Sequence, residues 1–184
     1  MSVCFVPKKL FKVLDIYPFD IFSLHLARIC DKLLTHNFFD YQRRVTNMVK
    51  VIMGLKGSGK TKKLVDLVQQ AAQNEKGAVV CIEKKKNLST EIPHSVRLIR
   101  AQEYGIFGVD MFKGYIAGLY SGNYDITQIF VDNFYKIIDT DNEAVVAEVL
   151  GWLEAFSNAN GVTVTLSLSG DADKASDALK KYFI

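Results

Sequence analysis

Eight residues, Gly54 to Thr61, carry the strongest chemical signal in the sequence, with the pattern G-x-x-x-x-G-K-T. A short apolar run from Val49 to Met53 precedes them, and a helical periodicity follows at once. Glycines let the backbone turn tightly and approach an anion without a Cβ in the way, so that successive N–H groups can form a nest for phosphate. The positive end of the following helix dipole adds to this attraction. We therefore predict that the segment binds the phosphates of a nucleotide.

The setting of strand, glycine-rich loop and helix is typical of the phosphate-binding loop, or Walker A motif. We expect Lys60 to reach the β- and γ-phosphates and Thr61 to offer its hydroxyl to Mg²⁺. The alternative interpretation is a glycine-rich turn that matches the pattern by chance, and the flanking strand and helix signals argue against it. The predicted nucleotide-binding residues are Gly54, Leu55, Lys56, Gly57, Ser58, Gly59, Lys60 and Thr61.

Five predicted strands alternate with helices along residues 48–184, which indicates a parallel sheet with helices on both faces. The predicted strands are the run before the loop, Ala78–Ile82, Ser95–Ile99, Ile126–Asp132 and Val162–Ser169. The first two helices are predicted over Thr61–Lys76 and Asp110–Tyr120, and a third begins at a capping box of Thr140 and Glu143 and ends at Asn160. A last helix includes Ala175 and Tyr182 and would be capped by Ser169 or Asp171. Ligands of such sheets bind at the carboxyl ends of the strands. The loop, Glu83, Asp132, Ser167 and Ser169 should therefore gather at one edge.

The apolar run that ends in Asp132 resembles a Walker B strand, whose carboxylate holds the Mg²⁺ shell. Two predicted strands intervene between it and the Walker A strand. Residues 49–184 thereby resemble the additional-strand class of P-loop ATPases, which includes RecA-like proteins and the thymidine kinase family, and also resemble small bacterial P-loop ATP-binding proteins. The resemblance implies a three-layer P-loop NTPase fold with sheet order 5-1-4-3-2, and ATP with Mg²⁺ as ligands.

The chain departs from this class directly after the Walker B aspartate, where many members place a catalytic glutamate. Asn133 stands there and cannot accept a proton, and the zinc-bound lid of thymidine kinases has no counterpart in the sequence. RecA-like proteins keep a water-activating glutamate at the end of the strand that follows the P-loop helix, and the resemblance gives this role to Glu83. The alternative for Glu83 is an exposed glutamate at a strand end. Ser167 is similarly the candidate for a sensor residue on the last strand.

Residues 1–47 differ from the rest of the chain in composition, since they are rich in aromatic residues and contain no glycine. A helix is predicted over 20–34, with His25 and His36 as surface or packing residues. Met48 stands just before the first strand, and Arg43 and Arg44 can be encoded by AGGAGG, a bacterial ribosome-binding sequence. We therefore predict an extension at 1–47 and a nucleotide-binding domain at 48–184. Our hypothesis is that the extension is translated upstream sequence, and a native protein that begins at Met1 would refute it.

Composition narrows the function classes. The chain has 184 residues, 49% of them hydrophobic, and a net charge of +3, which residues 1–47 carry by themselves through seven Lys and Arg against four Asp. Nothing in this balance favours a nucleic-acid partner, and no apolar run is long enough to span a membrane. Three scattered cysteines favour a reducing cytoplasm over a disulfide framework, and no Cys or His pair has metal-ligand spacing.

Three functions follow from these residues. The first is a small cytoplasmic Mg²⁺-dependent ATPase that couples its nucleotide state to a protein partner or an oligomer. The second is a nucleotide-binding regulatory module that scarcely hydrolyses, which Asn133 favours. The third is a small-molecule or nucleoside kinase, which requires an acceptor pocket and a base near the γ-phosphate. ATP is expected rather than GTP because no guanine-recognition signature of the N-K-x-D type follows the last strands.

Overall fold

A computed structural model describes residues 48–85, 88 and 90–184, which lie within one compact unit beginning at Arg44. The predicted helix over 20–34, together with His25 and His36, lies outside the described residues. In chain order the elements are β1 (Val49–Gly54), α1 (Lys60–Asn74), β2 (Ala78–Glu83), β3 (Arg97–Arg100), a 3₁₀ turn (Ala101–Tyr104), α2 (Val109–Gly122), β4 (Ile126–Val131), α3 (Phe134–Ile138), α4 (Glu143–Asn160), β5 (Thr163–Ser169) and α5 (Asp177–Lys180).

The five strands form one parallel sheet with helices on both faces, which confirms the predicted α/β class. Strand β2 is a continuous apolar run from Ala78 to Ile82, and β4 ends in one from Ile129 to Val131, because these segments are buried on both sides, as is usual for parallel sheets. One face packs against α1 through Leu64, Val65 and Val68, and the other packs against α2, α3, α4 and α5. None of the helices in the described ranges is long and apolar enough to cross a membrane.

The order of strands along the sheet is β1-β5-β4-β2-β3, which differs from the expected 5-1-4-3-2. Strand β5 lies between β1 and β4 rather than at an edge beyond β1. Two of its four alternating polar residues are buried, with Thr165 and Ser167 each 2% exposed on the face that α1 covers. Alternation assigns side chains to faces but carries no information about which strands are neighbours, because pairing is a long-range property.

The outer edge of β1 is covered by the last residues of the chain. Val51 donates its N–H to the carbonyl oxygen of Tyr182 (2.8 Å) and accepts from the N–H of Ile184 (3.1 Å), and Val51 and Phe183 form a parallel bridge. The backbone groups of this edge are therefore paired within the chain, which protects the strand from edge-to-edge association.

Helix boundaries differ from the predictions where local capping was misassigned. Helix α4 is capped by Asn142, whose Oδ1 accepts from Ala144 N (3.0 Å) and Val145 N (3.5 Å), whereas Thr140 accepts from Asn142 N instead. The last helix shrinks to four residues after Ser176, and the short helix α3 was not predicted. At the start of α4 two nearby polar residues, Thr140 and Asn142, are both suited to capping, and local sequence does not decide between them.

Two glycines of α2, Gly114 and Gly118, stand one helical turn apart. A Cβ added at Gly114 or Gly118 would have no neighbour within 4 Å among the described residues. Both glycines line an open groove together with Arg97, Met111 and Tyr115. The spacing of one helical turn therefore marks a surface depression and not a helix crossing.

Candidate functional site

The glycine-rich loop leaves the end of β1 and closes into the first turn of α1. The carbonyl oxygen of Leu55 accepts from Ser58 N (3.1 Å) and from Lys60 Nζ (2.7 Å), which folds the loop around this oxygen. Gly59 caps α1 without any side-chain hydrogen bond, and the first turn contains no acidic residue. The first N–H groups of a helix have no intrahelical acceptor. They therefore face the loop as donors for an anion, and the helix dipole favours negative charge at the same place.

Three glycines meet distinct geometric demands of this loop. Gly57 and Gly59 have φ angles of 85° and 83°, in the left-handed region that side chains other than glycine rarely adopt. A Cβ on Gly54 would lie 2.5 Å from Ser58 Oγ, so a larger residue there would require the Ser58 side chain to move. The sequence pattern thus matches the conformation residue by residue.

Lys60 and Thr61 extend the site from the loop towards the sheet. Burial lowers the pKa of Lys60 below its ordinary value, and the negative charge of Asp132 opposes this shift in part. Thr61 Oγ1 donates to Asp132 Oδ1 at 3.3 Å, which connects the first turn of α1 to the end of β4. Hydroxyl and carboxylate oxygens are the donors that Mg²⁺ prefers, and this cation is commonly held by one or two carboxylates together with substrate phosphates.

Asp132 is 1% exposed and its carboxylate accepts from several neutral donors. Ser167 Oγ donates to Oδ1 at 2.7 Å, and Asn133 Nδ2 donates to Oδ2 at 2.5 Å. Ser167 Oγ also accepts from the backbone N–H of Asn133 at 2.8 Å. Hydrogen bonds from neutral groups thus satisfy the buried carboxylate, and the charge of Lys60 acts on it electrostatically as well.

The register of the strands explains why these residues meet. Val131 pairs with Leu166 and with Ile82, so the next residues, Ser167, Asp132 and Glu83, stand side by side at strand spacing on three adjacent strands. All three point towards the face that α1 covers, since their alternate neighbours Phe130 and Cys81 pack there. We call Ser167, Asp132, Glu83 and the next residue in register, Arg100, the polar row.

Glu83 is as deeply buried as Asp132, at 1% exposure, but its surroundings differ. Its Oε2 accepts from Leu88 N (2.9 Å), and its Oε1 lies 3.5 Å from Arg100 Nε. Arg100 also contacts Glu103 Oε1 at 3.2 Å. The predicted alternative of an exposed strand-end glutamate is therefore wrong, since Glu83 is buried in an ion pair and fixes the start of the segment that follows β2.

The structure brings Lys60, Thr61, Asp132 and Ser167 together and places Glu83 one strand farther along the same face. The side chains of Leu55 and Lys56 are exposed, so these two residues form part of the loop through their backbone. The structural roles of Asn133 and Arg100 were missed, because the sequence gives no sign that an amide and a guanidinium at two strand ends turn back onto buried carboxylates. In the described part of the chain, no group of three or more His, Cys, Asp or Glu side chains gathers as a metal site.

Another depression lies beside this site, after the ends of β4 and β5. It is a cleft of about 360 Å³ lined by Lys84, Asn133, Tyr135, Lys136, Asp139, Thr140, Asp141 and Ser169. Ser169 pairs with Gly54, and Gly170 N donates to Gly54 O at 3.0 Å, so the cleft is one strand away from the glycine-rich loop. Burial raises the pKa of Tyr135, and the charges of Glu143 and Asp141 add to the shift, so its phenol is a neutral donor here.

A scan with protein-family models found no match to this chain, and a search of curated proteins found no similar sequence. The site is consequently interpreted from its own residues.

Proposed function

We propose that the protein binds Mg·ATP at the glycine-rich loop and hydrolyses it, as a small cytoplasmic ATPase of the P-loop type whose nucleotide state is communicated to a protein partner or an oligomer. The observation that carries this proposal is the contact between Thr61 and Asp132, at 3.3 Å, at the mouth of a loop with the G-x-x-x-x-G-K-T pattern. The loop N–H groups that would bind phosphate are therefore adjacent to two oxygens, Thr61 Oγ1 and Asp132 Oδ1, of the kind that Mg²⁺ prefers.

Each residue has a stated role in this proposal. Lys60 would exchange its contact with the Leu55 carbonyl for the β- and γ-phosphates, with a gain in electrostatic energy because both partners are charged. Thr61 and Asp132 would hold Mg²⁺, which neutralises the charge that develops on the phosphates. Glu83 is our candidate for activating water, since it is the other buried carboxylate among the described residues and lies on the same face of the sheet.

A regulatory module that binds nucleotide without hydrolysis is the second candidate, and a specific observation favours it. Glu83 is engaged with Arg100 Nε and Leu88 N, so it must give up or share these contacts to polarise water. Asn133, the residue after Asp132, donates to that aspartate and offers no base of its own. The kinase alternative would use the cleft beside Ser169 for a phosphoryl acceptor, and Asp139 or Asp141 as its base.

The first test measures ATP binding and phosphate release with the full chain, with and without Mg²⁺. In Lys60→Ala we expect ATP affinity to fall about ten- to hundredfold, because a hydrogen bond to a charged group contributes roughly 1.5–3 kcal/mol. In Asp132→Asn we expect affinity without Mg²⁺ to persist while the gain from Mg²⁺ is lost. Lys62→Ala is the matched control, since Lys62 is an exposed lysine on the same helical turn.

Three outcomes separate the candidates. Phosphate release that Lys60→Ala abolishes supports the ATPase, whereas ATP binding without turnover supports the regulatory module. ADP formation that depends on an added acceptor and releases no phosphate supports the kinase. Failure of the full chain to bind ATP, or equal loss of binding in Lys60→Ala and Lys62→Ala, would overturn the proposal that the loop is a nucleotide site.

A further inference from the structure

The carboxylate of Asp132 is held from three directions by groups that carry no charge. Oδ1 accepts from Ser167 Oγ (2.7 Å) and Thr61 Oγ1 (3.3 Å), and Oδ2 accepts from Asn133 Nδ2 (2.5 Å). These donors fix the orientation of the group without cancelling its charge, and the Lys60 ammonium interacts with it electrostatically. A divalent cation that approaches from the loop therefore meets a carboxylate in a fixed orientation, in a setting where water has been largely excluded.

Ser167 is suited to this role by its two hydrogen bonds. Its hydroxyl donates to the carboxylate and accepts from Asn133 N (2.8 Å), so its one donor and one of its two acceptor lone pairs are used. The side chain is 2% exposed beneath α1, which leaves little room for other rotamers. An oxygen in this geometry is committed to the aspartate and its neighbour. We therefore assign Ser167 to orienting Asp132 rather than to sensing a nucleotide directly.

Asn133 is suited to its role by its backbone. Its φ and ψ angles are 56° and 47°, and asparagine is one of the few residues that adopt this left-handed conformation readily. The turn directs the side-chain amide back onto Asp132 Oδ2 and sends the chain into α3. The amide nitrogen must face the carboxylate, because an ionised carboxylate only accepts hydrogen bonds.

We propose that Ser167 and Asn133 are positioning residues, which orient the Asp132 carboxylate for a divalent cation bound with the nucleotide. The inference rests on the proposed function, because the cation is the one that would accompany ATP. It also gives Asn133 a role of its own, as the outer support of the aspartate at the place where a catalytic base was sought. Outer partners of this kind are expected to change metal affinity by about 10- to 100-fold when they are removed.

The test titrates Mg²⁺ against ATP binding in the full chain and in the variants Ser167→Ala and Asn133→Gly. Glycine retains the left-handed backbone and the N–H donor, so Asn133→Gly removes the amide alone. We expect the Mg²⁺ concentration for half-maximal enhancement of ATP binding to rise about tenfold in each variant. ATP affinity in the presence of a chelator should be unchanged, and a merely structural role of either residue would lower it as well.

Ser157→Ala is the matched control, since Ser157 is also fully buried but its Oγ has no hydrogen-bond partner among the described residues. It lies on α4, which packs against the face of the sheet opposite to α1. Its Mg²⁺ titration should match that of the unaltered protein. Unchanged Mg²⁺ dependence in both Ser167→Ala and Asn133→Gly, with ATP still bound, would overturn the positioning role and leave the proposed function standing.

Crystal structures of the two variants without nucleotide provide a readout that does not depend on ATP. A rotated Asp132 side chain in either variant supports the inference even if the unaltered protein binds no ATP, which would overturn the proposed function alone. An Asp132 carboxylate in the same orientation in both variants overturns the inference. If Ser167→Ala does not fold, Asn133→Gly decides the question, because it leaves the buried hydroxyl and its two hydrogen bonds in place.

Discussion

Asp132 and Glu83 are two carboxylates at the ends of adjacent parallel strands, equally buried at 1% exposure, on the same face of the sheet. Their partners are of different kinds. Asp132 accepts from a serine, a threonine and an asparagine, whereas Glu83 accepts from Leu88 N and lies 3.5 Å from the guanidinium of Arg100. Neutral donors hold the Asp132 carboxylate in place, with Lys60 acting on it only electrostatically, whereas Glu83 lies at ion-pair distance from a guanidinium.

The difference shows that strand position alone does not determine the chemistry of a strand-end acid. Neutral donors stabilise a carboxylate while leaving its charge to act on a third group, such as a metal ion. In an ion pair the partner cation offsets most of that charge, and breaking the pair leaves an uncompensated charge in the interior. The surroundings of Asp132 are therefore compatible with its proposed role as a metal ligand, whereas those of Glu83 are those of a structural ion pair, which must open for the proposed catalytic role.

The largest effect is expected from Glu83→Gln. If Glu83 activates water, phosphate release should fall about 10²- to 10⁴-fold while ATP affinity is unchanged, because an amide cannot accept the proton. The measurement is single-turnover hydrolysis together with ATP binding. Glu103→Gln is the control, since it removes the other, more exposed carboxylate that Arg100 contacts. Turnover that persists in Glu83→Gln would mean that Glu83 is purely structural, and would sharpen the contrast with Asp132.

A smaller effect is expected from Arg100→Met, which retains the apolar bulk but removes the cation. The free energy of unfolding should fall by about 2 kcal/mol, below the usual cost of breaking a buried pair because Arg100 is 28% exposed. Denaturant unfolding measures the change. Arg97→Met on the same strand is exposed and should stay within about 0.5 kcal/mol.

The double variant Glu83→Gln with Arg100→Met distinguishes ion pairing from packing. It should be more stable than Arg100→Met alone, because no buried charge is then left without its cation. Equal stability of the double variant and Arg100→Met would show that Arg100 acts through packing, and the two carboxylates would then differ less than their contacts indicate.

The smallest effect concerns Cys81, which lies on β2 under the influence of both carboxylates. Burial raises the pKa of its thiol strongly, and the negative charges of Asp132 and then Glu83 add to the shift. In the unfolded chain the thiol ionises near its ordinary value of about 8.5. The folded state keeps the proton, so this group leaves stability unchanged below that pH and lowers it above, by up to about 1.4 kcal/mol per pH unit.

The direction of this pH dependence is tested by measuring the free energy of unfolding of the protein and of Cys81→Ala at about pH 7, 9 and 10. We expect the stability advantage of the unaltered protein over the variant to shrink as the pH rises above about 8.5. A difference in stability between the two proteins that stays constant with pH would show that folding does not raise the pKa of the Cys81 thiol. It would contradict the expected effect of burial and of the two carboxylates on this group.

Much of the fold was determined by local sequence. The five strands and the main helices were predicted, because hydrophobic periodicity and glycine punctuation act over a few residues. The glycine-rich loop was the clearest case, since Gly54, Gly57 and Gly59 are required by close approach or positive φ angles that only the local backbone sets. The loop, its lysine and its threonine were therefore predictable as a unit.

Tertiary structure alone decided how the strand ends are satisfied. The placement of β5 between β1 and β4 brings Ser167 to Asp132, and the pairing of β2 with β3 brings Arg100 to Glu83. Both contacts join residues far apart in the chain or on separate strands, and no local pattern encodes strand neighbours. The sequence supplied two acids at two strand ends; the order and register of the sheet gave one of them neutral donors and the other a cation.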